Sequence, residues 1–137
     1  MRVRLFGSLT LSGDEGTIPV RGDIPRAIVA RLAWAAGQPV SADELIESLW
    51  PKPPETVLSS LRAHISRLRG NGLGDVLGSG RGGYTLDIDP ADVDVLAYRT
   101  LVDEGLRDAD EAAAFERLTS AERLWSGMPF TGLDEFP

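Results

Sequence analysis

One run of residues, bounded by chain breakers on both sides, constrains this sequence more than any other. Residues 56–70 carry apolar side chains at Leu58, Leu61, Ile65 and Leu68. Spacings of three, four and three put these on one side of an α-helix. Pro51-Lys-Pro-Pro54 precedes the run and Gly70-Asn-Gly72 follows it, so the helix has a stop at each end. The opposite face presents Thr56, Ser59, Ser60, Ala63, Ser66 and Arg67, which are small residues plus one long donor. Arg62 and His64 lie at the edges of that face, and Arg69 lies nearer the core side. Downstream, Asp75-Val-Leu77 and Tyr84-Thr-Leu-Asp-Ile88 flank a glycine-rich tip that carries Arg81. There the helical period gives way to alternation, which predicts a β-hairpin.

The segments before the run read as a small sheet and two helices. Arg2-Val-Arg-Leu-Phe6, Leu9-Thr-Leu-Ser12 and Thr17-Ile-Pro-Val20 are short strands punctuated by glycine. Residues 25–36 have helical spacing at Ile28, Val29, Leu32 and Ala36, and Gly37 stops them. Ser41-Ala-Asp-Glu44 is a capping-box pattern that opens a second helix running to about Trp50. After Asp89-Pro90 the composition becomes acidic and alanine-rich. Residues 93–106 and 109–125 read as an antiparallel helix pair, broken at 126–129 and followed by an apolar tail. A lone pair cannot bury its faces, so the sequence reads as cut within a larger helical domain. The fold class predicted is α+β, with residues 1–88 and 89–137 as its two parts.

Charge narrows the partner class only when its position is considered. The chain has net charge −7, yet residues 1–87 sum to +1 and residues 88–137 to −8. Between residues 56 and 81 stand Arg62, Arg67, Arg69 and Arg81 against Asp75 alone. Local charge governs a contact surface because distant exposed charges are screened. Without cysteine there is no disulfide and no thiolate metal site. The N-terminus lacks a signal-peptide pattern, no apolar run has membrane-spanning length, and a cytoplasmic location is expected. His64 is the single histidine and has no cluster of partners, so neither a catalytic nor a metal site is expected, and no cofactor. The glycine run at 78–83 precedes a strand and not a helix, which removes a phosphate-cradle reading. Trp34, Trp50 and Trp125 read as core or interhelix anchors.

A helix with a small-residue outer face can approach the floor of the DNA major groove, and arginines at its borders reach bases or phosphates. A basic hairpin beside it can enter the neighbouring minor groove. Helix, stiff loop, basic helix and glycine-basic hairpin in this order predict a winged helix-turn-helix. The candidate contacts are Thr56, Ser59, Ser60, Arg62, Ala63, His64, Ser66, Arg67, Arg69 and Arg81. Of these, Arg62 and His64 are expected at phosphates.

The run Leu61-Arg-Ala-His-Ile-Ser-Arg-Leu-Arg69 with Gly82-Gly-Tyr-Thr-Leu86 resembles the OmpR/PhoB-type winged helix, in its Streptomyces antibiotic regulatory protein (AfsR/DnrI-like) branch. Arg4-Leu-Phe-Gly7, Arg26-Ala-Ile-Val-Ala-Arg-Leu32, Val40-Ser-Ala-Asp-Glu-Leu-Ile-Glu-Ser-Leu-Trp50 and Leu124-Trp-Ser-Gly127 carry the same resemblance. It implies a transcriptional activator that binds double-stranded DNA at direct repeats, head to tail, as a homodimer on DNA. It also implies that residues 89–137 begin a tetratricopeptide-like bacterial transcriptional activation domain. Recruitment of RNA polymerase is implied too, with Lys52 on the loop that matches the family's polymerase contact. Two departures are visible. Thr85 stands where the family often has a cation, and Gly82 where proline is common, so a looser and less charged wing is expected. The competing reading is a winged helix used for protein–protein contact, with the acidic helices as its surface. In a variant of that reading, the acidic half covers the chain's own basic face.

Overall fold

The computed structural model describes residues 1–107 and 110–124. Three short strands open the chain: β1 (Arg2–Arg4), β2 (Thr10–Gly13) and β3 (Gly16–Ile18), paired antiparallel in that order. The register sets Val3 opposite Leu11, and Leu11 opposite Ile18. Val3, Leu5 and Leu11 are all buried. One face of the sheet therefore meets the core while Arg2, Arg4 and Ser12 face water, as strand alternation requires.

Helices α1 (Asp23–Ala35), α2 (Ala42–Leu49) and α3 (Val57–Leu68) follow. Helix α1 is the central one, with Ala27, Ile28, Val29, Ala30, Leu32 and Ala33 all buried. It ends with Ala36 in the left-handed region, one residue before the glycine that the sequence marks as the stop. At the head of α2 the Ser41 hydroxyl accepts from the Glu44 N–H at 3.1 Å, which satisfies one free helix-end donor. The Glu44 carboxylate lies 3.9 Å from the Arg31 guanidinium.

Helix α3 differs from expectation at its start. Leu61, Ile65 and Leu68 are buried, but Leu58 is 47% exposed. It lies in the first turn, where Val57 is half-buried and the rows of core side chains have not yet begun. The helical backbone runs on through Arg69 and Gly70 and breaks at Asn71–Gly72, where Gly72 has φ +116°, within the expected Gly70-Asn-Gly72 stop; Leu73 beyond the break is buried.

Strands β4 (Leu77–Gly80) and β5 (Gly83–Leu86) form the hairpin, with Arg81 and Gly82 at its tip. The hairpin's base is tied to the link between α1 and α2. Val40 and Tyr84 exchange two main-chain hydrogen bonds, each 2.9 Å. A Cβ on Gly83 would collide with the Val40 carbonyl and come within 2.6 Å of the Ser41 Cα, and φ there is +120°. A Cβ on Gly82 would lie 2.9 Å from Pro39. The glycines thus permit close approach of two backbones. The looser wing expected from Gly82 in place of proline is held at its base by this contact.

Beyond a 3-10 turn at Pro90–Asp92 come α4 (Asp94–Arg107) and α5 (Glu111–Leu124). The Asp94 carboxylate accepts from the Leu5 N–H at 2.7 Å and from the Phe6 N–H at 3.1 Å. Val3 bridges Val93, and the Phe6 and Tyr98 rings meet edge to face at 5.4 Å. Val93, Val95 and Leu96 join the same core as the three helices. Trp34 is 41% exposed and not a core residue. It anchors α1 to α4 by lying under the Arg99 guanidinium, 5.2 Å from the ring centre. Helix α5 packs along α4 at Gly105, where a Cβ would fall 2.8 Å from Leu118. Asp108, Trp125, the expected break at 126–129 and the apolar tail lie outside the described residues.

Two outcomes follow. Asp94→Ala removes the acceptor for two N–H groups of buried residues and is expected to cost about 2–3 kcal/mol in urea denaturation. A loss below about 0.5 kcal/mol would mean the carboxylate contributes little. Gly83→Ala is expected to cost about 2 kcal/mol or more and to speed hydrogen exchange at the Val40 and Tyr84 amides. Unchanged exchange there would contradict the close-approach account.

Candidate nucleic-acid interface

Because Leu61, Ile65 and Leu68 fix one side of α3 in the core, its other side is presented outward. Thr56, Ser59, Arg62, Ser66 and Arg67 are exposed, and Ser60 and Ala63 are half-buried. The stripe between the two arginines consists of small residues. A backbone with such a stripe can come close to a partner surface without long side chains in the way.

The wing flank of α3 is a groove of about 480 Å³. Helix α3 contributes Arg62, Ser66 and Arg69, and the hairpin contributes Ser79 to Tyr84, Arg81 included. Ser41 and Ala42, at the head of α2, close its end. The Arg69 Nε donates to the Leu77 carbonyl at 2.9 Å. Arg69 therefore first braces the hairpin against α3, and only its remaining N–H groups face the groove. Arg62 and Arg81 make no hydrogen bond or ion pair with the described residues, and neither does Arg67. The acidic helix α4 packs against β1 and α5, so the described acidic residues do not cover this basic face.

The opposite flank is a second groove, about 410 Å³, lined by Arg67 and His64 of α3 and by Arg21 with Pro19, Val20 and Pro25. His64, one of the two residues expected at phosphates, lines this groove from a half-buried position. Its Nδ1 is buried without a hydrogen-bond partner, and its ring centre is 6.5 Å from that of Trp50. Burial, and then the Arg67 charge, push its pKa below the ordinary 6.5. The ring is neutral near pH 7, so it gives a phosphate no full charge.

The expected contacts thus fall on two flanks: Arg62, Ser66, Arg69 and Arg81 on one, His64 and Arg67 on the other. Lys52 stands apart on the exposed loop 51–54. The sequence reading missed Ser41, Ala42 and Arg21. The capping pattern marked Ser41 as a helix head, but no local signal shows which groove a helix head faces. Among the described residues no group of three or more His, Asp or Glu could hold a metal ion. No helix there is long and apolar enough to cross a membrane.

The His64 environment has a consequence for stability. A pKa lowered by folding means the unfolded chain binds the proton more readily. The stabilising contribution is complete above pH 6.5 and is lost as pH falls through the lowered folded value. The melting temperature of His64→Gln is expected to fall less than that of the parent between about pH 7 and 5. Parallel pH profiles would contradict this.

Comparison with known proteins agrees with this geometry. Residues 24–75 match the family model "Transcriptional regulatory protein, C terminal". The chain is 35% identical to transcriptional regulator RedD of Streptomyces coelicolor, over 93% of this chain and 39% of that protein. It is 31% identical to regulatory protein DnrI of Streptomyces peucetius, over 93% of this chain and 52% of that one. The structure of Mycobacterium tuberculosis EmbR in complex with a low-affinity phosphopeptide superposes with a TM-score of 0.85 at 28% identity. It matches 98% of this chain, which spans 38% of that one. The chain therefore spans about two fifths to one half of the relatives it matches. By name these relatives are regulatory proteins, RedD a transcriptional regulator among them. With its winged helix and these relatives together, the chain is similar to the Streptomyces antibiotic regulatory proteins, a family of transcriptional regulators, and carries a winged helix of the OmpR/PhoB type.

Proposed function

We propose that this chain is the DNA-reading part of a transcriptional activator that binds direct repeats near promoters, two copies head to tail. In this reading α3 lies in the major groove with Thr56, Ser59, Ser60, Ala63 and Ser66 toward the bases. Arg62 and Arg81 hold the backbone and the minor groove on the wing side, and Arg67 works from the other flank. Arg69 positions the wing, and His64 supports α3 against Trp50. Residues 1–88 form the DNA-binding unit, and residues 89–137 begin the helical activation domain, tied to it through Asp94.

The carrying observation is the shared groove in which Arg62 of α3 and Arg81 of the wing stand together without a carboxylate partner among the described residues. Two unpaired cations 19 positions apart in sequence have little reason to converge in an isolated domain, where like charges repel. A polyanion gives them a counter-charge.

The loop 51–54 carries the polymerase contact in this reading, with Lys52 as its exposed cation. The whole loop is exposed, so a second protein could reach it.

Selection of bound sequences from a random duplex pool tests the first part. The expected product is a spaced direct repeat, and enrichment of no sequence would favour the protein-contact reading. Arg62→Ala with Arg81→Ala is expected to weaken binding at 0.15 M salt about tenfold or more. Lys52→Ala is expected to leave DNA affinity unchanged while lowering activated transcription in a purified polymerase assay. Full activation by Lys52→Ala would remove the loop from the proposal.

A further inference from the structure

The turn that leads from β3 into α1 is built with more order than a connection needs. The Arg26 guanidinium points inward and forks over two carbonyls. Its Nη1 donates to Val20 at 3.1 Å and its Nη2 to Leu9 at 3.3 Å. The Arg26 N–H donates to the Gly22 carbonyl at 3.1 Å. Residues 20–22 are therefore held from both sides. At the crest is Arg21, which is exposed and has no hydrogen bond or ion pair with the described residues.

Arg21 lines the same groove as Arg67, on a floor that includes Val20, Pro25 and Leu68. No carboxylate lines that groove. Two guanidinium groups facing an apolar floor without a counter-ion fit an anion, and a fork of N–H donors favours phosphate oxygens. An α-helix is about 10–12 Å across and the major groove about 12 Å wide. A helix seated there has a phosphate strand along each flank. The wing stands over one flank of α3, and the Arg21 turn stands over the other.

We infer that Arg21 and Arg67 form a second phosphate-binding wall, across α3 from the wing, which takes a phosphodiester of the DNA backbone. The inference rests on the DNA-binding reading above. It makes Arg67 a backbone contact more than a base reader. It also makes Arg26 a positioning residue, since its fork fixes the turn that presents Arg21.

The test uses the full chain, an enriched duplex and a scrambled duplex, with affinity followed against salt by fluorescence anisotropy. Arg21→Ala is expected to weaken binding about fivefold at 0.15 M salt. The loss should be equal on both duplexes, and the slope of log affinity against log salt should shrink by about one. Arg21→Glu should weaken binding further, with the melting temperature of both variants unchanged. If the parent binds and both variants keep its affinity and slope, the wall is overturned while the DNA-binding reading stands. If the parent binds neither duplex, that reading fails and the wall with it. Inorganic phosphate titrated without DNA should leave the His64 ring resonances in place. A saturable shift would mark a free-anion site and overturn the assignment to the DNA backbone.

Discussion

Two main-chain hydrogen bonds between Val40 and Tyr84 decide where the wing's arginine stands. They join the α1–α2 link to β5, and they form only because Gly83 lets the two backbones meet. Once that contact is made, β4 follows from the hairpin register, and Arg69 braces β4 to the end of α3. Arg81 then comes to rest across a groove from Arg62 and Ser66. The geometry of the basic face is thus set by neutral backbone chemistry, and the charges are carried on it. Like charges would not assemble such a face unaided.

The same logic explains how an acidic chain can present a basic surface. Its net charge is −7, but the Asp94 carboxylate and the Phe6–Tyr98 contact hold α4 against the N-terminal sheet. Described acidic side chains of α4 and α5 therefore do not line either arginine groove. Fields from those acids fall off within about 8–10 Å at ordinary salt. Their remaining effect would be to disfavour loose binding to arbitrary DNA and to leave close contact by α3 as the favourable mode.

Much of this was legible in the sequence because it depends on local periodicity. The apolar rows of α1 and α3, the Ser41 cap and the glycine hairpin all announce themselves within a few residues. Leu58 was misread because periodicity cannot say where a core ends; the helix begins before its support does. Of the two roles open to Trp34, core or interhelix anchor, the second holds, and sequence could not choose between them because its partner, Arg99, is far away in the chain. Arg69 is a candidate contact by sequence, but its Nε is held by the Leu77 carbonyl across the turn at Asn71–Gly72, and no local pattern gives that pairing. The sharing of grooves is the least local property. Arg62 and Arg67 lie five residues apart on one helix, and only the packing of the wing and the β3–α1 turn assigns them to different flanks. Ser41 and Arg21 were passed over for the same reason.

The central claim is that the face shared by α3 and the wing meets DNA while the helical pair stands behind it. The most direct measurement is amide hydrogen exchange across the chain, with and without a bound duplex. The account predicts slowed exchange in α3, at the head of α2 and in the hairpin from Ser79 to Tyr84, with α4 and α5 unchanged. Protection concentrated in α4 and α5, with none in α3 or the hairpin, would contradict it.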